Sequence, residues 1–251
     1  MIQYEYPLNE RTRTYLRLEH LFRRLGTLLE REDALDHHFA LATIFEIMDV
    51  GSRADLKSEV LRDLDKQRQL FDGYRGNPAI SESALNQVIG HLEQAFAALN
   101  GQSGKAGQEL SENDWLMSIR SRISIPGGTC EFDLPAYFAW QHHPAASRQD
   151  DLRRWMNSLQ PLTTAVMLLL KLQRESGTAQ KVIAPGGQFQ QNFPTGRTYQ
   201  LLRLQLSPLA RVVPEISGNR LIVSVRFMRM EADNHLHPCA QDTAFELTLC
   251  A

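Results

Sequence analysis

Hydrophobic positions recur along this chain with two different periods, and the change falls near Gly177. Before it the spacing is that of helices. From Asn9 to about Glu30, Leu18, Leu21, Phe22, Leu25, Leu28 and Leu29 recur every three or four residues, which places one apolar stripe on a helix that Asn9 can cap. His37 to Met48 predicts a second helix, and Ser52-x-x-Asp55 reads as a capping box opening a third, with Leu56, Val60, Leu64 and Phe71 on one stripe. Ser81 to Leu99 predicts a fourth, stopped by Asn100-Gly101. The run GQSGKAG from Gly101 to Gly107 is small and polar, and predicts an exposed loop without chemistry. Ser111-x-x-Asp114 then caps a helix reaching about Arg122, which Ile125-Pro126-Gly127-Gly128 breaks because proline lacks an N–H and glycine permits positive φ. Asp133 to Gln141, Gln149 to Leu159 and Leu162 to Glu175 complete the helices. The last is apolar nearly all round at Val166 to Leu170, as in a central bundle helix or a subunit interface.

After Gly177 the period becomes two. Tyr199 to Leu206, Leu221 to Phe227 and Ala244 to Leu249 alternate or are rich in β-branched residues, and Pro185-Gly186-Gly187 and Ser217-Gly218-Asn219 supply turns between them. Residues 2 to 6, IQYEY, also alternate and can return to this sheet. The predicted class is therefore α+β: a helical domain over 7–177, and an antiparallel β domain over 178–251 that the first six residues can join.

Charge adds little to this picture. The 251 residues carry 27 Lys and Arg against 29 Asp and Glu, so net charge supplies no field for coating nucleic acid. Three widely spaced cysteines, Cys130, Cys239 and Cys250, suit a reducing compartment. The longest apolar stretch, Ala165 to Leu170, is far shorter than the ~20 residues needed to cross a bilayer. These features predict a cytoplasmic protein with neither nucleic acid nor membrane as partner.

The chain contains no GxSxG, Walker loop, GxGxxG, HExxH or CxxC. One metal-like triplet, His235-x-His237-x-Cys239, would share a face of an extended strand and offer ligands to zinc, though with no fourth ligand in view. It supports an alternative reading as a metal-dependent or small-molecule enzyme. Arginines are more informative. Arg13 and Arg17 lie four apart, beside the stripe of the first helix. Arg120 and Arg122 close a helix, while Arg203, Arg226 and Arg229 interrupt otherwise apolar strands and need either solvent or a carboxylate. A wet sheet face explains them, and so does a cationic pocket at the helix–sheet junction that receives a carboxylate-bearing peptide. Periodicity does not decide between the two.

Several blocks carry a resemblance. They run from Tyr6-Pro7-Leu8-Asn9-Glu10-Arg11-Thr12-Arg13-Thr14-Tyr15-Leu16-Arg17-Leu18-Glu19 through Arg122-Ile123-Ser124-Ile125-Pro126-Gly127-Gly128-Thr129-Cys130-Glu131-Phe132-Asp133-Leu134-Pro135. Leu201-Leu202-Arg203-Leu204, Ile216-Ser217-Gly218 and Val225-Arg226-Phe227-Met228 follow. In this order, over nearly the whole chain, they closely resemble the ZapD family of bacterial cell-division proteins. The resemblance implies a cytoplasmic, cofactor-free, non-enzymatic homodimer at the mid-cell division site. It would bind the C-terminal tail of the tubulin-like GTPase FtsZ in a positively charged pocket and bridge two filaments. Carried over by position, Arg13, Arg17 and Arg226 are the foremost tail-binding candidates, with Arg120, Arg122 and Arg203 as further ones that could equally pair with carboxylates such as Asp133. Asp114 and Phe138 depart from the pattern, since some relatives carry a basic residue and an imidazole there.

Overall fold

The computed structural model describes every residue except Ala54 and Thr195. Its chain divides into two compact units, Arg17–Leu169 and a second formed by Met1–Leu16 together with Leu170–Ala251. The division falls inside two helices, a few residues before the composition itself changes near Gly177.

The first helix, α1 (Glu10–Leu29), starts where Asn9 Oδ1 accepts the Thr12 N–H at 2.8 Å, and Leu18 and Leu25 on its stripe are fully buried. Asp33 caps α2 (Ala34–Gly51), which is buried along a broad face from His37 to Gly51. Helices α3 (Leu56–Asp72) and α4 (Glu82–Gly101) form a hairpin around Val60, Leu64, Leu85 and Leu92, with Ser81 capping α4.

Two expected caps fail. Ser52 closes α2 instead of opening α3, because its N–H is already bonded to Met48 O at 2.8 Å; Asp55 stands at the start of α3 without a side-chain cap bond. Ser111 ends a single turn, α5 (Gln108–Ser111), and Asn113 Oδ1 accepts the Leu116 N–H at 3.0 Å to open α6 (Asp114–Ile123). The polar loop before α5 is mostly exposed, but Ala106 and Gly107 at its end are buried. Helices α7 (Pro135–Gln141), α8 (Ala145–Asn157) and α9 (Gln160–Glu175) follow. Trp115, Tyr137, Trp140 and Trp155 stack around one another with ring centres 5.5 to 6.2 Å apart. Within α9, Val166 and Leu170 are fully buried whereas Met167 and Leu168 are partly exposed.

A buried guanidinium ties this unit together. Arg148 donates from Nε to His37 Nδ1 at 2.9 Å and from its terminal nitrogens to the carbonyls of Glu32, Gln141 and His143. His37 Nε2 in turn meets Arg31 O at 2.8 Å, so the ring is the neutral tautomer that accepts at Nδ1 and donates at Nε2.

The other unit is a β-sandwich. One antiparallel sheet has the order β1 (Ile2–Pro7), β4 (Leu201–Leu206), β8 (Thr243–Cys250), β2 (Gln180–Ala184), so the N-terminal strand does return, pairing Glu5 with Arg203. The second runs β3 (Gln188–Asn192), β6 (Ile222–Met230), β5 (Val213–Gly218), with β7 (Leu236–Pro238) also on β6. Leu202, Leu204, Val223, Val225, Phe227, Phe245 and Leu247 fill the space between them. Pro185-Gly186-Gly187 carries the chain from one sheet to the other. Gly187 has φ +72°, and a Cβ there would lie 2.1 Å from Cys239 O, so only glycine fits.

Candidate partner-binding arginines

The six candidate arginines divide between the units: Arg13, Arg203 and Arg226 in the sandwich unit, Arg17, Arg120 and Arg122 in the helical one. They also divide by what they touch. In α6, Arg120 pairs with Asp49 of α2, and Arg122 Nη1 lies 3.4 Å from Asp133 Oδ1. Arg13 Nε lies 3.1 Å from Glu10 Oε1, one turn earlier on α1. Arg203 sits on the outer face of its sheet, directly across from Glu5, with its Nε 3.2 Å from Glu5 Oε1. Arg174, from the end of α9, holds the same carboxylate through two bonds, Nε to Oε1 at 2.8 Å and Nη2 to Oε2 at 2.7 Å. Burial alone would raise the Glu5 pKa, but the hydrogen bond from Arg174 and the charges of Arg174 and Arg203 prevail and hold it below the ordinary carboxylate value.

The remaining two candidates have no such partner. Arg17 is exposed on α1, and Arg226 is exposed mid-strand on the outer face of β6, flanked in register by Gln188 and Glu215. Among the described residues, no carboxylate lies within ion-pair distance of either guanidinium. Arg17 is one helical turn from Arg13, so the two share a face of α1. Arg226 reached this position by parity: Val223, Val225 and Phe227 point into the sandwich, and Ser224 and Arg226 point out.

The same parity sends Arg229 inward at the end of the strand, and sequence reasoning left it outside the candidate set. Its Nη2 donates to Gln241 Oε1 at 3.1 Å, while its Nε is buried with no partner. The signal was present in the sequence, three residues beyond Arg226. Of the departing positions, Asp114 is exposed in the first turn of α6, and the Phe138 ring lies 4.5 Å from that of His142.

The structure disperses the metal-like triplet. His237 Nε2 pairs with Asp233 Oδ2 at 3.0 Å on an exposed hairpin, and Cys239 is buried in the sandwich, so the residues do not share a face. Among the described residues no three His, Cys, Asp or Glu side chains are grouped to hold a metal ion, and no helix is long and apolar enough to cross a membrane.

Comparison with known proteins gives concordant results. The profile of a family described as ZapD, cell division protein, matches residues 16–226. A cell division protein ZapD of Ralstonia pickettii (strain 12J) is 53% identical over 251 residues, covering 100% of this chain and 99% of that protein. One of the same name from Ralstonia nicotianae (strain ATCC BAA-1114 / GMI1000) is likewise 53% identical over 251 residues, with the same coverage of both chains.

Proposed function

Because this chain belongs to the ZapD family and has that family's role in cell division, we propose that it binds the C-terminal tail of FtsZ through exposed arginines and, as a homodimer, cross-links and bundles FtsZ filaments to stabilise the Z ring. The activity is binding, not catalysis, and requires no cofactor. It takes place in the cytoplasm at the mid-cell division site, without nucleic acid or membrane as a partner.

The observation that carries this reading is that Arg17 and Arg226 present guanidinia to solvent with no carboxylate partner among the described residues. A guanidinium offers a planar fork of donors matched to a carboxylate, so an unpaired one is ready for a partner's acidic residue. Arg13 can join them at little cost, since its pair with Glu10 is exposed and such pairs contribute only about 0–1 kcal/mol. Arg120, Arg122 and Arg203 each already hold a carboxylate and would have to exchange it. Duplicating these contacts in a dimer turns weak single contacts into strong filament bridging by raising the effective concentration of the second tail.

The test is co-sedimentation with assembled FtsZ, alongside sedimentation velocity of the protein alone. The expected result is a micromolar dimer that pellets bundles of intact FtsZ, fails with FtsZ lacking its tail, and fails when Arg17 or Arg226 is replaced by Glu in a folded variant. Bundling of tailless FtsZ, or a monomer, overturns the reading.

A further inference from the structure

At one end of the sandwich, the loops after β4 and β7 and the end of β6 enclose an open groove of about 720 Å3. That volume is within the range of about 300–1,000 Å3 seen for ligand sites. Two arginines face it. Arg229 enters from the core side, its Nη2 held by Gln241 and its Nε stripped of water without an acceptor. A desolvated donor on a cation is costly unless something supplies the missing acceptor. Arg211 follows a short turn at Pro208–Ala210 and adopts φ +51°, a left-handed conformation uncommon for a non-glycine residue; it is exposed and makes no ion pair among the described residues. One carboxylate, Asp242, also lines the groove, its Oδ1 accepting the Gly186 N–H at 2.9 Å, so against Arg211 and Arg229 the lining keeps a net positive charge. Beside the arginines stand two apolar side chains that the fold does not cover, Leu209 at 89% and Met230 at 55% exposure.

Two cations, an unmet buried donor and an uncovered apolar rim fit a peptide segment with a carboxylate next to an apolar side chain, and the groove is larger than a lone anion needs. We propose that this groove is a second contact site for the acidic tail of the partner filament protein, with Arg229 and Arg211 clamping a carboxylate and Leu209 and Met230 holding the neighbouring apolar residue. The inference rests on the tail-binding reading above and extends it to residues outside that site.

The experiment is fluorescence anisotropy of a labelled FtsZ C-terminal tail peptide titrated with the full-length protein. Its arms are wild type, Arg226→Glu, Arg211→Gln, Arg229→Gln and Leu209→Ser, with melting curves for each. The expected result is a Kd raised about threefold to tenfold by Arg211→Gln and by Arg229→Gln at unchanged melting temperature, a smaller rise for Leu209→Ser, and a larger one for Arg226→Glu. A peptide with its acidic residues changed to amides should no longer distinguish wild type from Arg211→Gln. If Arg229→Gln fails to fold, the exposed Arg211 and Leu209 decide the matter. Wild-type affinity in both Arg211→Gln and Leu209→Ser, with binding lost in Arg226→Glu, overturns the groove and leaves the proposed function standing. No binding by wild type overturns both.

Discussion

The outer faces of the two sheets carry the same residue type in mid-strand and treat it in opposite ways. On one, Arg203 is closed into a cluster with Glu5 and Arg174, three side chains no more than about a quarter exposed. On the other, Arg226 stands in solvent between Gln188 and Glu215 with no ion pair among the described residues. The Arg203 charge is neutralised within the fold and is spent on stability, whereas the donors of the exposed Arg226 remain for another molecule. The helical unit repeats the contrast between Arg148, with four acceptors around it, and Arg17, which has none among the described residues.

Substitutions test this division from its strongest side first. Arg148→Ala should destabilise the protein by about 4 kcal/mol in denaturant unfolding, because it strips donors from three carbonyls and from His37 Nδ1 at once. Glu5→Ala should cost roughly 3 kcal/mol, since Arg174 and Arg203 are left facing each other without their carboxylate. A loss below ~1 kcal/mol in urea unfolding would show that the cluster is not structural. Arg226→Glu should weaken tail-peptide binding at least about tenfold at low salt, with the difference from wild type shrinking as salt shortens the Debye length toward ~8 Å and below. Salt-independent binding would contradict an electrostatic contact.

Acid should act on the paired residues and leave Arg17 and Arg226 untouched. Burial first, and then the charge of Arg148, hold the His37 pKa below its ordinary 6.5, so the unfolded chain takes up that proton first and stability falls as pH drops below about 6.5. Glu5 adds a second loss as pH falls below its ordinary 4.5, through the same excess of protons bound by the unfolded state. Melting temperatures recorded from pH 8 to 4 should therefore decline toward acid, and an Arg17 or Arg226 variant should show the same decline as wild type. The smallest effect expected is that of Arg226→Gln on stability, within about 0.5 kcal/mol.

Much of this arrangement was legible in the sequence, and the rest was hidden for physical reasons. The stripe of α1, its Asn9 cap and the alternation of β4, β6 and β8 are local patterns, and each appears where its period placed it. The return of residues 2 to 6 to β4 followed from the same alternation. The strands that escaped notice, β2, β3 and β5, are edges, where QKVIA and QFQQN carry a weak apolar signal and Pro214 sits where one side of the strand has no ladder to complete. The cap at Ser52 failed because the preceding helix ran on and took its N–H. The arginines show the limit most clearly. Arg226 and Arg229 could be told apart by parity alone, but Arg203 could not be recognised as paired, because its partner Glu5 lies 198 residues away in sequence.

The most direct measurement is anisotropy of the labelled FtsZ tail peptide with wild type and Arg226→Gln, with thermal melting of both proteins. The account predicts an affinity reduced by about tenfold at an unchanged melting temperature. Equal affinity with a melting temperature lowered by several degrees would contradict it, by showing that Arg226 holds the fold and not the partner.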